Sequence, residues 1–381
     1  MQVGIDYTSA ATQHAGIGRS VREFVSAVLK QPARPGLTLV YAHRGPVNEV
    51  DALAIHERVK VRRLPVSPRV ALGLWHKARL PVPVEALIGP VNVFHGPDYA
   101  LPPMAFAHGV LTVHDLSFVV RPQDAHPAQR RFLESVVPRS IDRARLIVTV
   151  SEATKRDLSQ RYGVRPHRIR VVPNAVSEVF EPIRDSDHLD QVRQRLLLPE
   201  TFVLSVGTIQ PRKNIDGLAR AVTMASKRTG IPIVHIHVGR EGWLYEQVYA
   251  EIKRSGDVVR FVGHVDDRTL CALYSLAAAF VYPSHEEGFG IPVLEAFACE
   301  CPVVISASAA IVEVAGGSAI VANAADAATI ADGLGEIVTD AAVRDDLVER
   351  GRARIGNYSW ERSGRLMLDV YREAACAGGG S

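Results

Sequence analysis

The stretch Tyr282–Pro302, YPSHEEGFGIPVLEAFACECP, joins a short apolar run to an acidic, glycine-bearing loop and then to a helical pattern. The run Ala279–Tyr282 predicts a buried strand, and the spacing of the apolar residues predicts a helix that begins near Pro292. Proline is tolerated in the first helical turn because its missing N–H would have no partner there. The first N–H groups of a helix are unpaired, so a strand, a loop and a helix in this order predict an anion site.

Two carboxylates flank the glycines of this loop. Glu287 precedes Gly288-Phe289-Gly290, and Glu295 lies eight residues further on, inside the predicted helix. Either acid alone has a simpler interpretation, as a capping charge at the helix start. Carboxylate oxygens also accept hydrogen bonds from vicinal hydroxyls. Two such acids beside an anion site therefore favour a ligand that carries both a phosphate and a sugar.

Glu287 and Glu295, set in EGFGIPVLEAFACECPVV, resemble the signature of retaining glycosyltransferase family 4. The resemblance implies an α/β protein with the GT-B fold, in which two Rossmann-like domains face a cleft that holds a nucleotide sugar. It also implies that Glu287 contacts the transferred sugar and that Glu295 binds the ribose hydroxyls. The backbone around Phe289, Gly290 and Ile291 is then expected to contact the donor.

A basic pair follows another predicted strand, Phe202–Val206, and precedes a helix that begins near Asn214. Arg212 and Lys213 lie at this helix N-terminus, where two cations are unfavourable unless an anion lies between them. By the resemblance, they match the pair that binds the donor diphosphate.

Two neighbouring loops carry further donor-binding predictions. Gly207 and Thr208 directly follow the strand, and many family members have Arg where this chain has Thr208. The positive charge is therefore expected from Arg212 and Lys213 alone. Gly263-His264-Val265 follows a later strand, and the resemblance places Val265 near the nucleobase.

The first half alternates strand-like runs with helical patterns, which predicts a parallel sheet with right-handed crossovers. The runs are Leu37–Ala42, Val59–Leu64, Val91–Phe94, Val110–Val113 and Leu146–Val150. Gly16-Ile17-Gly18, before a helix predicted from Ser20, is a fragment of a dinucleotide fingerprint that lacks its third glycine. The resemblance places Gly16 and Gly18 beside the cleft.

Two histidines, His95 and His114, follow successive predicted strands, where α/β proteins build their sites. A lone His114-Asp115 pair is more often structural, but two strands that end in His favour function. By the resemblance, His114 contacts the transferred sugar. It joins Glu287, Arg212 and Lys213 as a candidate catalytic residue.

A charged, proline-containing linker, EPIRDSDHLD at 181–190, separates the two halves. We predict a first domain at 1–182, a donor domain at 183–357 and a helix at 358–375 that, by the resemblance, crosses back to the first domain. Asp185-Ser186-Asp187 has the form of a metal-binding Asp-x-Asp, but it lies in the linker, and the cysteines lack ligand spacing. We expect no metal and no cofactor besides the nucleotide-sugar co-substrate.

The charge is unevenly distributed along the chain. Residues 1–180 hold 24 Lys and Arg against 14 Asp and Glu, a balance of +10, whereas the remainder holds 20 against 27, a balance of −7. A basic first half predicts contact with an anionic membrane or a lipid-pyrophosphate acceptor, unless it is an ordinary solvated surface. We expect no nucleic-acid partner. No apolar run approaches the roughly 20 residues that span a bilayer, and the start does not resemble a signal peptide. We therefore expect a cytoplasmic enzyme, with peripheral attachment at the inner membrane face left open.

The resulting hypothesis is a retaining hexosyltransferase that moves mannose from GDP-mannose to a hydroxyl of a glycan or lipid-linked acceptor. The loops GTIQPRKN, HGPDYALP and TVHDLSF most resemble those of bacterial mannosyltransferases that build O-antigen or exopolysaccharide. UDP-glucose or a GDP-deoxysugar as donor, and a GT-B nucleotide-sugar epimerase, remain alternatives. A dehydrogenase is disfavoured because no complete GxGxxG with its distal acid is present. A non-catalytic sugar-binding relative is disfavoured because both acids are present.

Overall fold

The computed structural model describes residues 1–13, 16–78, 80–254 and 258–376. The chain forms two compact units. The first comprises Met1–Leu116, Arg131–Asn174 and Trp360–Ser381, and the second comprises Ser117–Arg130 and Ala175–Ser359.

Each unit is built on one β-sheet. The strands of the first sheet are β1 (Gln2–Asp6), β2 (Gly36–Ala42), β3 (Val59–Leu64), β4 (Val93–Gly96), β5 (His108–Val113), β6 (Ala144–Thr149) and β7 (Ile169–Val171). Those of the second sheet are β8 (Phe202–Val206), β9 (Val234–Val238), β10 (Val259–Gly263), β11 (Ala279–Tyr282), β12 (Val303–Ser306) and β13 (Ile320–Ala322).

The helices lie between the strands. They are α1 (Thr8–Thr12), α2 (Ile17–Leu29), α3 (Asn48–Asp51), α4 (Pro68–Leu72), α5 (Glu85–Ile88), α6 (Ser117–Val120), α7 (Pro127–Arg143), α8 (Glu152–Tyr162), α9 (Ser186–Arg195), α10 (Ile215–Thr229), α11 (Tyr245–Arg254), α12 (Asp267–Leu276), α13 (Ile291–Ala298), α14 (Ala309–Ala315), α15 (Ala327–Thr339), α16 (Ala341–Ile355) and α17 (Trp360–Cys376). Shorter turns are π-helical at Gly73–Lys77 and 3-10 at Ala52–Ile55, Pro122–Asp124, Pro166–Arg168 and Pro211–Lys213.

Both sheets have a doubly wound strand order. The first runs β3-β2-β1-β4-β5-β6-β7 and the second runs β10-β9-β8-β11-β12-β13, and the neighbouring strands pair in parallel. This order confirms the predicted α/β class with two Rossmann-like sheets. In each sheet the order reverses once, between β1 and β4 and between β8 and β11. Ligands of such sheets bind outside the carboxyl ends of the strands at that reversal.

The apolar core of the first unit holds its terminal helix in place. Met367, Leu368 and Tyr371 of α17 are buried in one hydrophobic cluster with residues of α2 and of the sheet. At the polar edge of this packing, Arg170 of β7 forms an ion pair with Glu373 of α17. The C-terminal helix is therefore an integral part of the first unit.

The apolar runs of the sequence predicted the positions of most strands correctly. β3, β8 and β11 have the predicted bounds, which confirms those three predictions. Helix α2 begins at Ile17 rather than at Ser20, because Gly16 has a φ of 60° and starts the helix earlier. Strand β4 lies two residues later than predicted, so that His95 is inside the strand.

Candidate active site

The site of the second unit lies where its strand order reverses. The loop after β8 runs from Gly207 to Lys213, and the loop after β11 runs from Pro283 to Gly290. The backbone N–H of His285 donates to the carbonyl of Arg212 at 2.9 Å, which joins the two loops directly. Because β8 and β11 are neighbours in a parallel sheet, both loops leave it at the same edge.

A buried carboxylate lies between the two cations of this site. Glu287 Oε2 is 2.7 Å from a guanidinium nitrogen of Arg212, and Glu287 Oε1 is 2.6 Å from Lys213 Nζ. The Arg212 guanidinium also donates to the carbonyl of Glu286 at 2.5 Å. All three charged side chains are at most 14% exposed. The anion that the basic pair requires is thus Glu287, and the three side chains together carry one positive charge.

The pKa of Glu287 shows how strongly the cations act on it. Burial by itself raises the pKa of this carboxyl, but the charges and hydrogen bonds of Arg212 and Lys213 outweigh burial and lower it to about 2. Lys213 Nζ also donates to the hydroxyl of Tyr282 at 2.8 Å. Burial first, and then the charges of Glu287 and Glu295, raise the pKa of Tyr282 well above 10, so that its hydroxyl stays neutral.

Asn214 fixes the turn that carries the basic pair, and the sequence interpretation missed this role. Its φ of 54° lies in the left-handed region, which Asn tolerates better than most residues. Its side-chain amide donates to the carbonyl of Pro283 at 3.2 Å and to that of Ala324 at 2.7 Å. It therefore joins the loops after β8, β11 and β13. An Asn at a predicted helix start, directly after two cations, was the available signal.

The second predicted acid lies inside α13 and has a different partner. Glu295 is 5% exposed, and its Oε2 accepts a hydrogen bond of 3.1 Å from Tyr274. Gly290 precedes the helix with a φ of 105°, a conformation that favours glycine. Phe289 is buried against the ring of Tyr358, at 5.6 Å between centroids. The two acids thus occupy chemically distinct positions on one loop and helix.

The remaining residues predicted to bind the donor follow strands of the second sheet or begin α13. Gly207 has a φ of 146°, and a Cβ there would lie 3.1 Å from Lys213 Cε, so that glycine lets the lysine stem approach. Thr208 and Ile291 are half-buried beside their glycines, and Val265 is half-buried after β10.

Gly18, in the first turn of α2, allows close backbone packing. A Cβ on Gly18 would lie 2.2 Å from the carbonyl oxygen of Gln13, a contact that only glycine avoids. Gly16 precedes the helix and is exposed.

His114 lies after β5, as expected for a residue at a sheet edge. Its Nε2 is 2.8 Å from the carbonyl oxygen of Pro97, and its ring packs edge-on against Tyr99. Burial lowers the pKa of His114, which favours the neutral ring. A carbonyl can only accept, so Nε2 carries the proton and Nδ1 is the acceptor nitrogen.

The expectation that His95 also belongs to a site was wrong. His95 is fully buried inside β4, with Nδ1 2.8 Å from the Tyr371 hydroxyl and Nε2 2.8 Å from the Thr112 hydroxyl. Burial lowers its pKa to about 3. Both ring nitrogens are therefore occupied in the core between the sheet and α17.

Asp185 of the Asp-x-Asp motif caps α9. Its carboxylate accepts hydrogen bonds from the backbone N–H groups of Asp187 and His188 at 3.1 and 3.2 Å. Within the described ranges, no group of three or more His, Cys, Asp or Glu side chains is arranged to hold a metal ion. Among the helices described, none is long and apolar enough to cross a membrane.

Two family models match the chain, one in each half. "Glycosyltransferase Family 4" matches residues 15–179 and "Glycosyl transferases group 1" matches residues 190–354. The second match contains Arg212, Lys213, Glu287 and Glu295.

Two similar proteins and one solved structure agree with these matches. O-antigen chain mannosyltransferase B of Escherichia coli is 32% identical over 283 residues, which are 74% of each chain. D-inositol 3-phosphate glycosyltransferase of Nocardioides sp. is 32% identical over 269 residues, covering 65% of this chain and 57% of that protein. Sucrose-phosphate synthase from Thermosynechococcus elongatus has the same fold, with a TM-score of 0.75 at 23% identity over 98% of both chains. The chain belongs to glycosyltransferase family 4 and is a glycosyltransferase with the GT-B fold.

Proposed function

We propose that this glycosyltransferase moves mannose from GDP-mannose to a hydroxyl of a glycan or lipid-linked acceptor, with retention of anomeric configuration. The observation that carries the proposal is the cluster of Arg212, Lys213 and Glu287 at the strand-order reversal of the second sheet. Mannose is supported by the similarity to the Escherichia coli mannosyltransferase. UDP-glucose or a GDP-deoxysugar as donor, and nucleotide-sugar epimerisation, are the alternatives.

The cluster suits a reaction in which negative charge develops on a departing diphosphate. The bond between the anomeric carbon and the diphosphate oxygen breaks, and the acceptor oxygen bonds to the same face of that carbon. The acceptor proton passes to the departing phosphate, so that no side-chain base is required. Arg212 and Lys213 would stabilise the developing charge, because cations already fixed in place cost no reorganisation during the reaction.

Each of the other site residues would bind a different part of the donor. Glu287 would hold sugar hydroxyls as well as the two cations, and Glu295 would hold the ribose diol. Backbone N–H groups around Phe289, Gly290 and Ile291 would bind phosphate, with Val265 near the base and Gly207 and Thr208 beside the diphosphate. His114 would accept a hydrogen bond from a sugar hydroxyl through Nδ1, because its Nε2 already donates to Pro97. No metal and no further cofactor is required in this scheme.

The test is a binding panel followed by two isosteric variants. We expect GDP to stabilise the protein against heat more than UDP, ADP or dTDP does. Glu295→Gln replaces an acceptor oxygen with a donor and should weaken binding of nucleotide and nucleoside alike. Glu287→Gln should retain nucleotide and lose sugar transfer. Equal loss of nucleotide in both variants would refute the assigned roles, and donor turnover without acceptor would indicate the epimerase.

We further propose that the first unit attaches to an anionic membrane surface. It presents six exposed apolar side chains, the apolar patch: Val70, Leu74, Leu80, Val82, Leu87 and Phe106. Hydrogen bonds bring three of the six together: the N–H of Leu80 donates to the carbonyl of Leu74, and the indole of Trp75, next to Leu74, donates to the carbonyl of Val82, both at 3.0 Å.

Phe106 is 86% exposed on a fixed loop. The Glu85 carboxylate accepts hydrogen bonds from the backbone N–H groups of Ala105, Phe106 and Ala107, the last two at 2.9 and 2.8 Å. The ring therefore projects from a loop that the Glu85 carboxylate holds, which suits insertion among lipid head groups.

The segment 58–84, which contains four of the six patch residues, carries only positive charge. Residues 58–84 contain no Asp or Glu and seven cations: Arg58, Lys60, Arg62, Arg63, Arg69, Lys77 and Arg79. Each basic residue near an anionic membrane contributes about 1 kcal/mol. Among the cations of the first unit, Arg62 and Arg63 are exposed on β3, whereas Arg139 donates to the carbonyl of His76.

Sedimentation with liposomes tests the attachment. Binding should rise with the content of anionic lipid and weaken at high salt. Salt screens the attraction, and the Debye length is already only about 8 Å at physiological ionic strength. Phe106→Ser should weaken binding, whereas Ile55→Ser should not, since Ile55 is equally exposed at 87% and lies outside the patch. Binding that ignores salt and lipid charge, or no binding, would refute the proposal.

A further inference from the structure

Three buried polar side chains connect the neighbouring strands β8 and β9 of the second sheet. Ser205 of β8 is aligned with His237 of β9, and His235 lies two residues earlier on the same face of β9. Ser205 Oγ is 2.6 Å from His235 Nε2 and 2.7 Å from His237 Nδ1. The three side chains are at most 4% exposed. We call them the Ser–His pair network.

The network ends on the loop that carries Lys213. His237 Nε2 is 2.9 Å from the carbonyl oxygen of Gly207, the first residue after β8. A carbonyl oxygen only accepts, so His237 Nε2 carries a proton. Burial, helped by the charge of Lys213, lowers the pKa of His237 to about 4, and the ring is neutral. Its Nδ1 is then an acceptor, and Ser205 must donate to it.

The direction of every hydrogen bond follows from that end. Since the Ser205 proton goes to His237, Ser205 Oγ accepts from His235 Nε2–H. Burial also lowers the pKa of His235 well below 6.5, which keeps that ring neutral with a bare Nδ1. Among the described residues, nothing hydrogen-bonds to His235 Nδ1. Every hydrogen bond of the network therefore has one direction of donation, from His235 to Ser205, from Ser205 to His237 and from His237 to the Gly207 carbonyl.

The Gly207 carbonyl is enclosed by its neighbours. A Cβ on Gly239 would lie 1.8 Å from this oxygen, and a Cβ on Gly207 would lie 3.1 Å from Lys213 Cε. The backbone N–H of Gly207 donates to the carbonyl of Val238 at 2.9 Å. Two glycines thus let the β8 and β9 backbones and the lysine stem meet at a single peptide group.

We propose that His237 is a positioning residue for the diphosphate loop, and that it acts by fixing the peptide between Gly207 and Thr208. This peptide is planar and trans, so turning its carbonyl toward His237 turns the Thr208 N–H the opposite way, away from the network. Within the described part of the chain, no residue accepts a hydrogen bond from Thr208 N–H. The network presents this N–H, together with Lys213, to a phosphate. The inference rests on the proposed nucleotide-sugar function.

Two substitutions of His237 separate its bonds. In His237→Gln the side-chain amide reaches the position of Nε2 and can donate to the Gly207 carbonyl. In His237→Asn the shorter amide reaches only the position of Nδ1, so that the partner of Ser205 is kept and the bond to Gly207 is lost. His95→Gln, at an equally buried histidine of the first unit, is the matched control for a general loss of stability.

The first measurement needs no ligand. In protein labelled with ¹⁵N-threonine, the amide resonance of Thr208 reports the orientation of its peptide. We expect it to move in His237→Asn and to stay near its wild-type position in His237→Gln and His95→Gln. A resonance that stays in place in both His237 variants would overturn the inference, and a merely structural role would lower thermal stability without this difference.

The second measurement is binding. GDP should bind His237→Asn about tenfold more weakly than wild type, the effect of roughly one hydrogen bond, and His237→Gln within about threefold. Guanosine should bind all variants alike. Equal weakening in the Asn and Gln variants would overturn the inference. If wild-type protein binds none of GDP, UDP, ADP and dTDP, the proposed function fails, and the Thr208 resonance still decides the role of His237.

Discussion

The two sheets reverse their strand order in the same way, but the carboxylates at the two reversals have opposite environments. In the second unit, Glu287 lies between Arg212 and Lys213, and its pKa falls to about 2. In the first unit, Asp6 ends β1 and Asp98 follows β4, and each raises the free energy of the other's charge. Burial, together with the charge of Asp6, raises the pKa of Asp98 to about 7.

The difference shows that topology provides a place and the neighbours decide its chemistry. The second edge is a cationic site whose acid stays ionised down to about pH 2. The first edge holds two acids with few compensating bonds: Thr8 donates its backbone N–H to Asp6 at 2.9 Å, and a hydrogen bond from Gln13 lowers the pKa of Asp98 only in part. Below about pH 7 this pair holds a proton, whereas Glu287 is ionised down to about pH 2.

The largest expected effect is from Glu287→Gln, which removes the anion from between two buried cations. We expect a loss of about 3 kcal/mol in the free energy of unfolding at pH 7, measured by chemical denaturation. The wild-type pKa lies below 4.5, so the contribution of Glu287 is present above pH 4.5 and is lost as the pH falls toward 2. The variant should lack that pH dependence. Equal stability at pH 7 would contradict the role of Glu287 between the cations.

Lys213→Ala should have the next largest effect, on binding. Loss of a charge-assisted hydrogen bond should weaken nucleoside diphosphate by about 1.5–3 kcal/mol and leave free nucleoside nearly unaffected, as measured by calorimetry. Lys227→Ala, at an exposed lysine of α10, is the control and should bind as wild type does. Similar losses for nucleoside and nucleotide would show that Lys213 does not contact the diphosphate.

Asp98→Asn tests the comparison in the first unit, where we expect a smaller change in the free energy of unfolding, and an increase instead of a loss. The folded protein holds a proton on Asp98 that the unfolded chain releases near pH 3.8, so stability falls as the pH rises from about 4 to about 7. The amide has no proton to lose. We expect the variant to be about 1 kcal/mol more stable at pH 8, since Asp98 is partly exposed, with no gain at pH 4. A less stable variant at pH 8 would contradict the proton on the Asp6–Asp98 pair.

Chelation is expected to have no effect. The positive charge of the proposed donor site is that of Arg212 and Lys213, so sugar transfer should continue unchanged in EDTA. The control is the same assay with added Mg²⁺ or Mn²⁺. Activity lost in EDTA and restored by either ion would refute the metal-independent scheme.

Much of the site could be predicted from local sequence. The strand, loop and helix around Glu287 follow from a short apolar run, two glycines and a periodic apolar pattern, and these signals act over a few residues. The anion requirement of Arg212 and Lys213 followed from two cations at a helix start. The sequence could not show that Glu287 is the anion between these cations. It lies 74 residues from Lys213 in the sequence, and the two meet only because β8 and β11 are neighbours in the sheet.

The histidines show the same limit. His95 and His114 both end apolar runs, and sequence pattern alone favoured a site for both. The packing of the folded chain distinguishes the two. His95 hydrogen-bonds to Tyr371 of α17, which lies more than 250 residues later in the sequence. His114 instead donates to the backbone carbonyl of Pro97, in its own unit. Ser205 and His237 gave no sequence signal, because a polar residue inside an apolar strand acquires a role only through its cross-strand partner.

The sequence by itself determined the alternation of strands and helices, the basic pair, the two acids and the family. Those features depend on backbone propensity, burial period and spacing, which are local. The tertiary structure alone decided the protonation of Glu287 and Asp98, the burial of His95 and the bond from His237 to Gly207. Each of these depends on which charges and dipoles come together in a region of low dielectric, and only the order of strands in the sheets brings them together.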